Sequence, residues 1–163
     1  MNRLKISGNV RHLPKIAGLV LLSAMVFGCG SNNKVEPTLT SLWDNEFNTC
    51  GVNCHSPAAS DGTENGPDLT TQANFYNNLV GKGAGNYPNW LKTSDCNVDF
   101  ITPGNADESS MVASLIQSYS DSLAANHNCV TAYNLHLVNH ITISDLDLQN
   151  ALVIWINNGA QNN

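Results

Sequence analysis

Apolar residues along this 163-residue chain recur at steps of three and four, the spacing of one helical face, and nowhere alternate strictly enough to predict a strand. Leu42, Trp43 and Phe47, with Glu46 among them, predict a first helix over residues 40–50. A short second helix is expected over residues 73–80, between the capping residue Thr71 and Gly81. After the Pro103-Gly104 turn, Asn105 or Asp107 is expected to cap a third helix, its apolar face made of Met111, Val112, Leu115, Ile116 and Tyr119. The clearest pattern comes last. Ser144 and Asp147 form a capping-box-like start, Leu148, Ala151, Leu152, Trp155 and Ile156 make the stripe, and Gly159 is the stop. Residues 81–105, with Trp90 and Cys96, have no such period and read as a long loop serving a site or wrapping a ligand. The expectation is an all-α domain.

The N-terminus follows different rules. Arg3, Lys5, Arg11 and Lys15 precede an uncharged run from Ile16 to Gly28 that ends at Cys29, the layout of an export signal. Thirteen residues fall short of the roughly 20 that a membrane-spanning helix needs. Gly28 and Cys29 resemble the cleavage site of bacterial lipoproteins, in which the cysteine becomes the lipidated terminus. Val26 and Phe27 are less typical of that site, and ordinary cleavage near Gly28 with a leftover thiol is the alternative. The polar Gly30-Ser31-Asn32-Asn33 stretch suits a tether. The organisation expected is a signal peptide over residues 1–28, a lipid-anchored tether over 29–39 and one folded domain over 40–163, held at the periplasmic or outer face of the cell envelope.

Removing the signal changes the charge balance. Only Lys34, Lys82 and Lys92 then face thirteen carboxylates, a net charge of −10. Such a surface repels phosphate backbones, which argues against nucleic acid, and favours partners with basic docking surfaces.

The candidate chemistry sits at Cys50-Gly51-Val52-Asn53-Cys54-His55. Two thiols one helical turn apart, followed at once by an imidazole, suit two thioether bonds to the vinyl groups of a haem with His55 as an iron ligand. The spacer here has three residues where the usual attachment signature has two. A disulfide among these cysteines is an alternative, since four cysteines allow three pairings. Structural zinc would need a second ligand cluster, and Cys96 and Cys129 are isolated from one another.

Gly66-Pro67-Asp68-Leu69, about a dozen residues after His55, resembles the Gly-Pro-x-Leu segment of class I cytochromes c. The resemblance extends to the cytochrome c-like domains of planctomycetes and other environmental bacteria. It is carried by residues 47–55, 68–81, 102–110 (Thr-Pro-Gly-Asn-Ala-Asp-Glu-Ser-Ser) and 155–160 (Trp-Ile-Asn-Asn-Gly-Ala), in matching order. It implies a small helical fold around one covalently bound haem c, with packed N- and C-terminal helices and long loops on the distal side. In that family the carbonyl of the proline, here Pro67, accepts the second N–H of the proximal histidine, His55. Trp43, Phe47, Trp155 and Ile156 are then packing and haem-enclosing residues.

The chain departs from the family at the sixth iron ligand, because it has no Met-Pro pair. Counting back from Ile143-Ser144 places His136 where the methionine would stand. His136 is therefore the leading distal candidate, followed by His140, with His127 and Met111 behind; an open sixth position is the remaining choice. Met111 lies on an apolar stripe, which suits packing better than ligation. A disulfide between Cys96 and Cys129 would hold the distal loop, with free thiols as the alternative.

The activity implied is single-electron transfer, not an enzymatic reaction, although an open sixth site would leave room for peroxidase-like chemistry or gas binding. A haem-free, disulfide-stapled envelope lipoprotein acting as an interaction module is the rival reading.

Overall fold

The computed structural model describes residues 34–57, 66–83, 98–129 and 131–163. The expected signal peptide, Cys29, residues 29–33 of the expected tether and Cys96 lie outside the described residues; within residues 34–39, Val35 packs against the core and Leu39, capped by Thr38, opens the first helix. Among the described residues the elements are helical, and extended backbone pairs only as isolated bridges. The domain is all-α, as its periodicity predicts. No described helix is long and apolar enough to cross a membrane.

Among the described residues seven α-helices follow in order: α1 (Leu39–Asn45), α2 (Cys50–Asn53), α3 (Gln72–Leu79), α4 (Ser110–Leu115), α5 (Gln117–His127), α6 (Tyr133–Val138) and α7 (Leu146–Asn157). Single 3₁₀ turns at Phe47–Thr49 and Ala106–Glu108 lead into α2 and α4. The first predicted helix thus breaks at Glu46, where the backbone leaves helical geometry. The reason is local: Thr49 Oγ1 donates to the Glu46 carbonyl at 2.9 Å and Asn48 Nδ2 to the Asp44 carbonyl at 3.3 Å, giving those carbonyls side-chain donors.

Thr71 caps α3 as expected, its hydroxyl accepting from Asn74 N–H at 3.1 Å. The third predicted helix divides, because Ile116 adopts extended geometry between α4 and α5. Neither Asn105 nor Asp107 caps it. Ser109 precedes α4 without a side-chain cap, and every residue of α4 is buried. Its serines survive burial by donating to carbonyls: Ser110 Oγ to Asp99 and Ser114 Oγ to Met111. The last helix starts at a different cap, with Asp145 Oδ1 accepting from Asp147 N–H at 2.8 Å and Leu148 N–H at 3.1 Å.

Helix α1 packs against α7, burying Leu39, Leu42, Leu152, Trp155 and Ile156. Its first turn is closed from the far end of the chain, since Asn163 accepts Leu39 N–H on Oδ1 at 3.1 Å and Thr40 N–H on its backbone carbonyl at 3.0 Å. Phe75 of α3 stacks on Phe47 at 4.9 Å and meets Trp43 edge-on at 6.0 Å, joining α1, α3 and the turn that leads into α2. The described ends of the long loop are tied together: Val80 bridges Ile101 and Gly83 bridges Asp99. This arrangement fixes the start of α2 against a solid core.

Candidate functional site

Helix α2 is a single turn whose geometry places the cysteines and the histidine. The Cys50 carbonyl accepts from both Cys54 N–H and His55 N–H, so the chain winds past one turn before it leaves the helix. Gly51 permits this turn to lie on the backbone of residues 69–70; a methyl group there would collide with the Leu69 carbonyl and with Thr70 Cα. Both thiols are free. They differ in setting, for Cys54 is exposed while Cys50 packs against the core. Burial first, then the Glu46 carboxylate and Cys54, push the Cys50 thiol up to about 12.

His55 is held at both ends. Its carbonyl accepts Leu69 N–H at 2.8 Å, and its ring Nδ1 lies 3.2 Å from the Pro67 carbonyl. A carbonyl only accepts, so Nδ1 carries the proton and Nε2 the lone pair that a metal needs. Gly66 makes the approach of ring and loop feasible: a Cβ at that position would stand 2.7 Å from His55 Cε1 and 2.9 Å from Nδ1. Burial lowers the basicity of His55, the Pro67 bond works against that, and His136 is near enough to lower it further.

His136, from a different part of the chain, is within electrostatic reach of His55. It stands on α6, a helix in a region without predicted structure, and it is buried although Leu135, Leu137 and Val138 around it are exposed. Its Nδ1 lies 2.8 Å from the Ser114 carbonyl, which fixes the same tautomer as in His55. Burial again lowers its basicity, opposed by the Ser114 bond. The break at Ile116 matters here: α4 ends there, so the Ser114 carbonyl at its C-terminal end is available to accept from a side chain.

The other distal candidates stand elsewhere. Met111 is buried in the core cluster, and its N–H donates to the Phe100 carbonyl. His127 Nε2 pairs with Glu108 Oε1 at 3.3 Å near the surface. His140 is exposed and occupies left-handed backbone with φ of 58°. Cys129 is buried and disulfide-bonded; its expected partner Cys96 lies outside the described residues.

His55 and His136 share one tautomer, and burial lowers the basicity of each. Among the described residues no three of His, Cys, Asp or Glu gather as a metal site. A haem would bring its own ring nitrogens, so His55 and His136 would suffice to hold its iron, whereas structural zinc would need four protein ligands. A cleft of about 350 Å³ where residues 34–37 cross α7 has no cysteine or histidine in its lining.

The Ser114 carbonyl is the partner that sequence reasoning missed, because a backbone acceptor leaves no residue-type signal. Searches against protein-family models, curated proteins and solved structures found no match to this chain.

Proposed function

We propose that this domain is a single-electron carrier of the bacterial cell envelope, with one haem c attached through Cys50 and Cys54 and its iron bound by His55 and His136. The observation that carries the reading is the His55 ring, placed directly after two free thiols, with its Nδ1–H given to Pro67 and His136 close by in the matching tautomer. When bound, the haem supplies the one-electron iron couple. The chain's own part is to orient two lone pairs and to raise their donor strength through the Pro67 and Ser114 carbonyls. Paired imidazoles favour the ferric state more than a histidine and methionine would, so the carrier works at low potential.

Cys50 and Cys54 would hold the haem, each S–H adding across a vinyl C=C to leave a thioether with no oxidant consumed. The exposed Cys54 and the half-buried Cys50 present unequal faces to that reaction. The acidic surface selects a redox partner with basic docking residues, and the N-terminal cysteine tethers the domain to a membrane through lipid.

The test is denaturing electrophoresis of the full chain, expressed with a cytochrome c maturation system and stained for haem. Haem that stays with the polypeptide, and is lost in the C50A/C54A double variant, supports the reading. A colourless chain with all its cysteines oxidised overturns it in favour of the disulfide-stapled lipoprotein.

A further inference from the structure

We infer that Asp68 is a positioning residue for the iron ligand His55, acting through the peptide group it shares with Pro67; this rests on the reading of His55 as the proximal ligand. The Pro67 carbonyl and the Asp68 N–H belong to one planar unit, so the orientation of Asp68 sets the direction in which the carbonyl points. Four hydrogen bonds fix that orientation. The Asp68 carboxylate accepts Thr70 N–H at 2.9 Å and Thr70 Oγ1 at 2.7 Å on one oxygen, and Asn74 Nδ2 at 3.0 Å on the other. Asn78 Nδ2 reaches the Asp68 backbone carbonyl at 2.8 Å.

Asn74 and Asn78 are four apart on α3, so they present one face to the loop and clamp Asp68 at two points. The arrangement holds the carboxyl below the usual carboxylate range, with the Thr70 hydroxyl as the largest cause. Helix capping does not account for it. The cap of α3 is Thr71, whose hydroxyl takes Asn74 N–H, and the Asp68 bonds are additional to that. What they constrain is the short segment from Gly66 to Leu69, which touches His55 three times: ring against Gly66, Nδ1–H to Pro67, and Leu69 N–H to the His55 carbonyl.

Releasing the clamp lets the Pro67 carbonyl turn and lengthens its bond to Nδ1–H. The imidazole then donates less electron density to ferric iron, and the reduced state gains.

The experiment compares the haem-loaded full chain with D68A, D68N and T71A by spectroelectrochemistry and by NMR of the exchange of His55 Nδ1–H with water. D68A is expected to retain covalent haem, to shift the ratio of reduced to oxidised protein several-fold toward reduced at a fixed potential, and to speed the exchange. D68N keeps one acceptor for Thr70 and falls between. T71A weakens α3 and lowers the melting temperature while leaving potential and exchange unchanged. A D68A protein with wild-type potential and exchange, or a T71A protein that moves both as far as D68A does, overturns the role. A wild-type chain without covalent haem overturns the ligand reading beneath it.

Discussion

The two halves of the site hold their imidazoles by the same bond but come to it in different ways. On the proximal side, residues 47–80 supply thiols, imidazole, contact glycine and acceptor carbonyl within one continuous stretch, anchored by Phe47 and Phe75 and clamped by α3. On the distal side, His136 and Ser114 lie 22 residues apart and meet only because α4 stops at Ile116 and α6 folds back over its end. Helix α6 has six residues and no side-chain cap, and Ile141 N–H and Ile143 N–H tie the following segment to the His136 and Leu115 carbonyls. The placement of His55 is specified by local sequence, that of His136 by tertiary packing. With both on iron, as proposed, His136 is expected to be the easier to release.

The largest expected difference comes from removing each ligand in turn. His55→Ala is expected to leave a chain that matures poorly or carries haem without a proximal bond. His136→Ala is expected to keep covalent haem but open the sixth position, raising the potential and admitting carbon monoxide. Carbon monoxide titration of the reduced proteins separates the two, and equal behaviour would break the distinction between the halves.

Next come the close contacts. Gly66→Ala inserts a methyl group 2.7 Å from the His55 ring, and overpacking of this kind costs about 1–3 kcal/mol. Gly51→Ala meets backbone, which yields less readily, and is expected to lie at the upper end of that range. Ser114→Ala keeps the carbonyl that His136 uses and removes only a bond within α4, worth about 1 kcal/mol. Urea denaturation ranks the three, and Ser114→Ala alone should leave the haem spectrum unchanged.

A pH series sharpens the comparison further. In the protein before haem is bound, both histidines have folded-state values below the ordinary 6.5, burial being the leading cause. The unfolded chain then binds more protons than the folded one as pH falls from 6.5 toward those lowered values. Stability present above that window is lost on descending through it. Unfolding of the C50S/C54S variant at about pH 8 and about pH 5 should show the loss, and adding His136→Gln should make it smaller. The smallest effect is expected at the caps: Asp145→Ala should cost α7 about 1 kcal/mol, readable in the melting temperature, with no change in the haem.

Helix content and the contact of His55 with the Pro67 carbonyl were legible in the sequence, for physical reasons visible in particular residues. Thr71 and Gly81 bound α3 as their chemistry suggests, and the period through Leu148, Leu152 and Trp155 survives intact in α7. The breaks at Glu46 and Ile116 were not legible, because the apolar period runs on through both. At Glu46, Thr49 and Asn48 side chains take over nearby carbonyls; at Ile116, α4 has every residue buried and turns out of line. Helix α6 was hidden for the converse reason, since Leu135, Leu137 and Val138 point apolar side chains outward and blur any amphipathic stripe. His136 could be nominated by counting from Ile143, but its partner carbonyl belongs to the tertiary fold.

The most direct test of paired imidazole ligation is near-infrared magnetic circular dichroism of the ferric full chain beside its His136→Ala variant. The expected result is a low-spin bis-imidazole charge-transfer band in the wild type, replaced by a high-spin signature when His136 is removed. A histidine–methionine band in the wild type, or a spectrum that His136→Ala leaves unchanged, would contradict it.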